Sequence, residues 1–446
     1  MSGRVSRWKD ALRTELWPLP VFAVVSAVIL GIVLPMLDAA VDDQLPGNGT
    51  VLLFNGGRDA ARAVLQAISG SLITVTSLTF SLTVVTLQLA SSQFSPRLLR
   101  TFTADRFVHG TLALFLATFS YALTVLRSVR GEDDGNPSLV PEISVTVAFV
   151  LAIASVVGLV LFLAHLTREI RVETMMRRVN AETQETTDQV FPKDRPAPGP
   201  GPVSASETFL ISSTRSGFLT SIDKAALVQA AEESGAVLRI DQEPGSSLVE
   251  GVPFATAWSA EPGVTFTWTV LEKLTAGVNS AVETGYERTK VQDVGFGFRQ
   301  LVDVAVRALS PGVNDPTTAV HVIGHLSVLL CRLAQRTMGP EHLRDKDGEV
   351  RVVLALPVLG DLLDLAMNQP RQYGAADPVV ARRLLGLLHE LSWCDRNGRH
   401  RAEIMEHLGR MRNAIGAADH SPAERKNLLD QADMIAASCS EPPRRA

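Results

Sequence analysis

Four long apolar stretches constrain this chain more than any other feature. A helix needs roughly 20 mostly apolar residues to cross the hydrocarbon core of a bilayer. Four segments meet that length, at about 17–37, 64–89, 108–126 and 143–166, and none holds an Asp, Glu, Lys or Arg. Lipid cannot satisfy backbone amides, so such segments must be helices. The first opens with Trp17, placed like an interfacial anchor, and carries Pro18 and Pro20 in its first turn, where proline is tolerated. Arg4, Arg7, Lys9 and Arg13 precede it, as basic residues precede a signal peptide. No small-residue cleavage site follows and further spans come after it, so it reads as an uncleaved first span.

The flanking charges predict an orientation, because cytoplasmic loops carry an excess of Lys and Arg. Arg97, Arg100 and Arg106 lie between spans two and three, and Arg168, Arg171, Arg177 and Arg178 follow span four. The other two loops are acidic by comparison, with Asp38, Asp42 and Asp43 in one and Glu132, Asp133 and Asp134 in the other. Both termini are therefore expected in the cytoplasm. Arg outnumbers Lys, and Ala, Val and Gly are plentiful, as in GC-rich bacterial genomes.

Beyond the spans the composition turns polar. Arg168 to Gln189 has helical spacing and reads as an extension of span four; the Pro- and Gly-rich 191–203 segment reads as a linker. Residues 217–222, 237–240 and 253–258 look like strands. Asp223 is placed to cap a helix through Glu233, and Pro244-Gly245 and Glu250-Gly251 mark turns. The spacing of Gly245, Val249 and Gly251 resembles half of a lipoyl-type barrel, but the hairpin lysine of a carrier is missing. From about 267 onward apolar residues recur at three and four, with one strong strand candidate at 349–356. The predicted fold is a mainly α membrane protein, with four transmembrane helices and an α+β cytoplasmic region. Its expected organisation is a membrane domain (1–175), a helical extension and linker (176–205), a small β unit (206–262), a helical domain (263–439) and a disordered tail (440–446).

Several function classes are excluded or lack a signature. A net charge of -5 argues against a nucleic-acid partner. The three cysteines, Cys331, Cys394 and Cys439, follow no CxxC spacing, so neither a disulfide framework nor a zinc site is expected. His321 and His325 are four apart, but no third ligand or HExxH glutamate accompanies them. No Walker, GxGxxG or GxSxG motif occurs, so no enzyme activity, cofactor or metal is predicted.

Two segments stand out for chemistry. The second span interleaves hydroxyls with apolar residues. At about 100° per residue, Gly70, Thr74, Ser77, Ser81 and Gln88 fall on one stripe, and Thr76, Thr79, Thr83 and Thr86 fall nearly opposite. Such a stripe serves either close helix packing or a hydroxyl-lined path formed by oligomerisation. The absence of mid-span charge disfavours an ion-coupled pump. The second segment is RTKVQDVGFGFRQLVDVAVRALSPGVNDPTTA, from Arg288 to Ala319. Arg299 and Asp303 can pair across a helical turn, Gly312 and Asn314 suit a tight turn, and Asp315 before Pro316 forms a helix start.

This second motif is very similar to the signature of family 2254 of the bacterial domains of unknown function, a set of predicted membrane proteins. Arg288, Thr289, Gln292, Asp293, Phe296, Gly297, Arg299, Gln300, Asp303, Ser310, Pro311, Gly312, Asn314, Asp315 and Pro316 carry the resemblance; Val313 stands where Ile is expected. The run from Gln88 to Arg97 resembles the family as well. The resemblance implies a multi-pass bacterial inner-membrane protein with a cytoplasmic C-terminal part, and no activity. The signature residues read as mainly structural. The leading functional expectation is an oligomeric channel or transport-like protein in the lipid bilayer, with the second span at its axis. Its rival is a membrane-anchored scaffold or sensor whose cytoplasmic part binds a partner or ligand.

Overall fold

The computed structural model describes residues 17–41, 54, 56–93, 105–129, 141–169, 171–197, 199, 201–202 and 207–440. The predicted loop basics Arg97 and Arg100, the loop acids Asp42, Asp43 and Glu132 to Asp134, and the tail after Ser440 lie outside them. The chain divides into two compact units, Met1–Thr174 and Met175–Ala446.

Among the described residues of the first unit are four helices long and apolar enough to cross a membrane: α1 (Pro18–Val41), α2 (Arg58–Gln93), α3 (Arg106–Ser128) and α4 (Glu142–Glu169). Spans one, three and four look alike in sequence, as ordinary lipid-facing helices. The structure corrects this, because α3 is central and packs against α1, α2 and α4. Phe115, Tyr121, Ala122 and Val125 of α3 are fully buried. Small residues allow the approach. A Cβ on Gly31 of α1 would lie 2.9 Å from Thr124, and one on Gly158 of α4 would lie 3.2 Å from Leu114. Packing of this kind, rather than a hydrophobic driving force, holds helices together in lipid. The buried Thr118 and Ser155 hydroxyls, 3.2 Å apart, add a polar contact between α3 and α4.

Asp38, which the sequence places among loop acids, is instead buried in the last turn of α1. Its carboxylate accepts from the amides of Ile143 (3.1 Å) and Ser144 (3.0 Å) and from the Ser144 hydroxyl (2.6 Å). It thereby satisfies the orphan donors at the start of α4 from another helix. Tyr121 completes the knot by donating its hydroxyl to the Ser144 carbonyl at 3.1 Å. Asp38→Asn puts an amide against these donors and should cost about 1–2 kcal/mol. The expected result is a lower melting temperature of the purified protein in detergent; an unchanged one would remove this cap from the account.

The second unit begins at Met175, within α5 (Val172–Val190). The expected continuous extension of span four is interrupted at Arg171, and α5 is a separate helix that packs into the second unit. Its Met175, Met176, Val179, Thr183 and Thr187 are buried, and Asp188 pairs with Arg332 and Arg336.

The strands are β1 (Thr208–Ser212), β2 (Gly217–Ile222), β3 (Ala236–Ile240), β4 (Ser247–Leu248), β5 (Pro253–Ser259), β6 (Val282–Gly285), β7 (Glu341–Arg344) and β8 (Val350–Leu354). A five-stranded sheet has the order β1-β5-β3-β8-β7, and a three-stranded sheet has the order β4-β2-β6. Only the β3–β8 pair of the larger sheet is parallel. The sheets share a core with α6 (Lys224–Glu233) and α7 (Trp268–Ser280), built on Leu227, Leu238, Ile240, Leu274, Val278 and Val352. The β region is therefore not closed within 206–262, and it forms sheets rather than half a barrel. The physical reason is β3, whose free edge is taken by β8 more than a hundred residues later.

The remaining body is helical: α8 (Val294–Ala308), α9 (Pro316–Leu333), α10 (Leu359–Gly374), α11 (Pro378–Cys394), α12 (Arg401–Ala417) and α13 (Pro422–Ser440). α10 is an addition to the sequence reading. Its apolar stripe of Leu359, Leu362, Leu363, Ala366 and Met367 is buried, but Gly360, Pro370 and Gly374 obscure the pattern.

Candidate functional site

Two places concentrate polar groups. The first is α2. Thr76, Thr79, Thr83 and Thr86 each donate to the carbonyl four residues earlier, at 2.7–2.8 Å. Thr79 and Thr86 are buried, and Thr76 and Thr83 are half-buried. This stripe faces into the helical unit, where back-bonded hydroxyls pack as small apolar groups. The opposite stripe is different. Gly70, Thr74, Ser77, Ser81 and Gln88 are all exposed, and a Cβ on Gly70 would meet nothing within 4 Å. Ile73, Leu78, Phe80 and Val85 flank it and are exposed too. Small and hydroxyl residues of this kind are what lets membrane helices approach closely.

The second place is the Arg288–Pro316 segment, whose two halves play different parts. In the first half, Asp293 caps α8 by accepting from the Phe296 amide at 2.9 Å. Arg288 grips the same carboxylate through Nε (2.8 Å) and Nη2 (3.0 Å), and its guanidinium lies 6.0 Å from the Phe296 ring centroid. Gln292 clamps β2: the Ile222 amide donates to its Oε1 at 2.9 Å, and its Nε2 donates to the Ile222 carbonyl at 3.2 Å. The Thr289 hydroxyl is turned into the protein. Gly297 has no room for a side chain, since a Cβ there would lie 1.8 Å from Thr183 Oγ1 of α5. Gln300 is buried, Asp303 is half-buried, and Arg299 donates to Gln369 of α10 at 3.4 Å. This half fastens α8 to the sheet, to α5 and to α10.

Carboxylates crowd that junction. Gly245, at φ +93°, brings its turn so close that a Cβ would lie 2.1 Å from Asp293 Oδ2. Burial pushes the Glu243 carboxyl above the usual range, and the nearby Asp361 and Asp293 carboxylates push the same way. Burial also raises Asp293, with Arg288 opposing it. A group whose folded pKa is raised contributes stability below its unfolded pKa, and that contribution is lost as pH rises through the folded value. Glu243→Gln should therefore raise the melting temperature at pH 7, and the gain should shrink as pH falls to the ordinary Glu value of about 4.3. Melting curves of the two proteins across that range check it; a gain that grows in acid contradicts it.

The second half forms the α8–α9 connection. Ser310 donates its hydroxyl to the Arg307 carbonyl at 2.7 Å, and Pro311, Gly312, Val313 and Asn314 are exposed. Asn314 sits at φ +47°, a conformation that Asn tolerates better than most residues. Asp315 caps α9 through the Thr318 amide (3.1 Å) and hydroxyl (2.6 Å), with Pro316 in the first turn. Those bonds hold its carboxyl below the usual range. Farther along α9, burial and the neighbouring His321 and Arg177 hold His325 below the usual histidine value. Among the described residues no group of three or more His, Cys, Asp or Glu side chains is arranged to hold a metal ion.

A cavity of about 190 Å³ adjoins the first half, lined by Gln189, Val190, Ile222, Lys224, Gln292 and Leu354 among others. Its walls are apolar apart from the two amides and Lys224, whose ammonium binds Glu341 at 2.7 Å. Gln292 belongs to the sequence signature and Lys224 does not; the fold brings them to one cavity. Sequence reasoning gives His165 only an interfacial place near the end of span four and misses its partner Asp105. Asp105 caps α3 through the Phe107 amide at 2.8 Å, and its other oxygen lies 2.5 Å from His165 Nε2 of α4.

No solved structure matches the chain. Two uncharacterized proteins, one from Mycobacterium bovis and one from Mycobacterium tuberculosis, are each 35% identical to it over 391 residues. That covers 85% of this chain and 72% of theirs. A family described as predicted membrane proteins matches residues 13–390, which takes in all four membrane helices and the whole Arg288–Pro316 segment. The chain belongs to this family, number 2254 of the domains of unknown function.

Proposed function

We propose that the protein is an oligomeric channel or transport-like protein of the bacterial inner membrane, with the Gly70–Gln88 face of α2 turned towards a central axis and both termini in the cytoplasm. One observation carries this reading: of two hydroxyl stripes on one membrane helix, one is packed inward and the other is exposed along its whole length. A second copy of α2 is the natural cover for it, because small side chains let two backbones approach. Where more than two copies meet, the remaining hydroxyls and Gln88 line a path that can replace part of a solute's hydration.

The experiment is ion or solute flux through proteoliposomes, comparing wild type with the variant Thr74→Leu, Ser77→Leu, Ser81→Leu. The reading expects flux to be lost while the oligomer persists by cross-linking. Flux that survives the three leucines, or a wild type that passes nothing under varied ions and voltages, contradicts it.

The cavity beside Gln292 favours a second reading, a membrane-anchored sensor. Its size suits a small molecule, and its position at the α5, β2 and α8 junction would let occupancy alter how those elements pack. A sensor would tolerate the three leucines and respond to substitution of Gln292.

A further inference from the structure

A cavity of about 690 Å³ lies at the end of the larger sheet, where β3 and β8 begin and β5 finishes. Its volume is that of a small-molecule site, which typically measures ~300–1,000 Å³. Val237 of β3 is paired with Trp258 of β5, and both line the cavity with Val350 and Phe266. The Phe266 ring is set against Phe209 at a centroid distance of 5.5 Å. Glu349 and Arg351 join the same wall. Residues two apart on a strand share one side, about 7 Å from each other. One carboxylate orders both: Asp345 Oδ2 accepts from Arg351 Nε at 2.6 Å, and its Oδ1 accepts from the Glu349 amide at 2.9 Å. Asp345 is itself buried, with 4% of its side chain exposed. Among the described residues the Arg351 side chain has no other partner, which leaves both Nη groups open, and the Glu349 carboxylate has none.

We propose that this cavity binds an aromatic α-amino acid as its zwitterion. The two Nη groups of Arg351 form the fork that donates paired hydrogen bonds to a carboxylate. Glu349, on the same side of the strand, accepts from the ammonium. The ligand ring lies against Trp258 and Phe266, where aromatic groups gain more than their buried area alone provides. Charge separates this ligand from its simpler relatives. An aromatic acid would meet Glu349 with no cation to offer it, and an aromatic amine would leave Arg351 without an anion. Glu261 also lines the cavity but already has a partner, so Glu349 is the acid assigned to the ammonium. Asp345 touches no ligand; it positions both charged side chains in advance, which lowers the ordering cost of binding. The assignment is independent of the channel reading, since it uses a different unit of the protein and a different ligand.

The test is titration calorimetry on the full chain in detergent, with L-tryptophan as the probe. Tryptamine and indole-3-propionate keep the ring and lack one charge each, and glycine keeps both charges and lacks the ring. The expected result is one L-tryptophan per chain, with each single-charge analogue at least about tenfold weaker, the weight of one charge-assisted hydrogen bond. Glycine should give no measurable heat. These comparisons use the wild type alone, so they stand even where a variant fails to fold. Glu349→Gln, at an exposed position, should erase the preference for L-tryptophan over indole-3-propionate. Arg351→Gln should erase the preference over tryptamine. A wild type that takes no L-tryptophan, an analogue that binds as tightly, or a preference that survives in a folded Glu349→Gln protein would overturn the assignment.

Discussion

Arg288→Met should destabilise the C-terminal unit by about 3–5 kcal/mol, the usual cost of removing one partner from a buried ion pair. Asp293 is only 3% exposed in its side chain, whereas Arg288 is 28% exposed. Methionine preserves much of the arginine stem but strands the carboxylate, which keeps only its hydrogen bonds to the start of α8. The loss should appear in chemical denaturation as a lower midpoint with little change in slope. It should also depend on pH. Without Arg288 the Asp293 carboxyl rises further, so its penalty falls away as the group protonates, and the gap between variant and wild type should narrow in acid. Adding Asp293→Asn should recover part of the loss at pH 7, because Asn still caps a helix and carries no charge to bury. A gap that stays constant with pH would mean that Arg288 acts through packing alone.

Gly297→Ala should cost about 3 kcal/mol, at the upper end for overpacking a core. The added Cβ would lie 1.8 Å from Thr183 Oγ1 and 2.9 Å from Thr183 Cβ. Thr183 cannot swing away cheaply, because it is buried and its hydroxyl donates to the Val179 carbonyl at 2.6 Å. Thr183→Ala removes the colliding atoms, so the double variant should be markedly more stable than Gly297→Ala alone. A coupling energy well above the few tenths expected of independent sites is the signature. Additive losses would show that α5 and α8 do not meet as described.

These two residues illustrate how the signature relates to the fold. Its helix starts at Asp293 and Asp315 act locally, and Asp315 before Pro316 is readable as a cap from neighbouring residues alone. Gln292 and Gly297 are different, because their partners Ile222 and Thr183 are remote in sequence. No local periodicity can reveal them. The same division runs through the whole molecule. The four membrane helices are legible because each long apolar run has one physical solution in lipid. The helix capped by Asp223 is legible for the same local reason. The strands at 350–354 and 236–240 are recognisable by their own residues, but their pairing is not. Neither is the centrality of α3, which depends on where Gly31 and Gly158 admit their neighbours. Asp38 reads as a loop acid until the start of α4 is seen to need its oxygens. In α2, helical geometry gives two polar stripes, and only the packing of α3 shows which one is covered.

The most direct measurement of the central proposal is cysteine accessibility during single-channel recording. In a chain whose native cysteines are serine, Ser77→Cys places a thiol on the exposed stripe and Thr79→Cys places one on the packed stripe. If α2 faces a conducting axis, a charged, membrane-impermeant thiol reagent should block current through Ser77→Cys and leave Thr79→Cys unaffected. Equal sensitivity of the two, insensitivity of both, or the absence of any current from the assembled protein would contradict it.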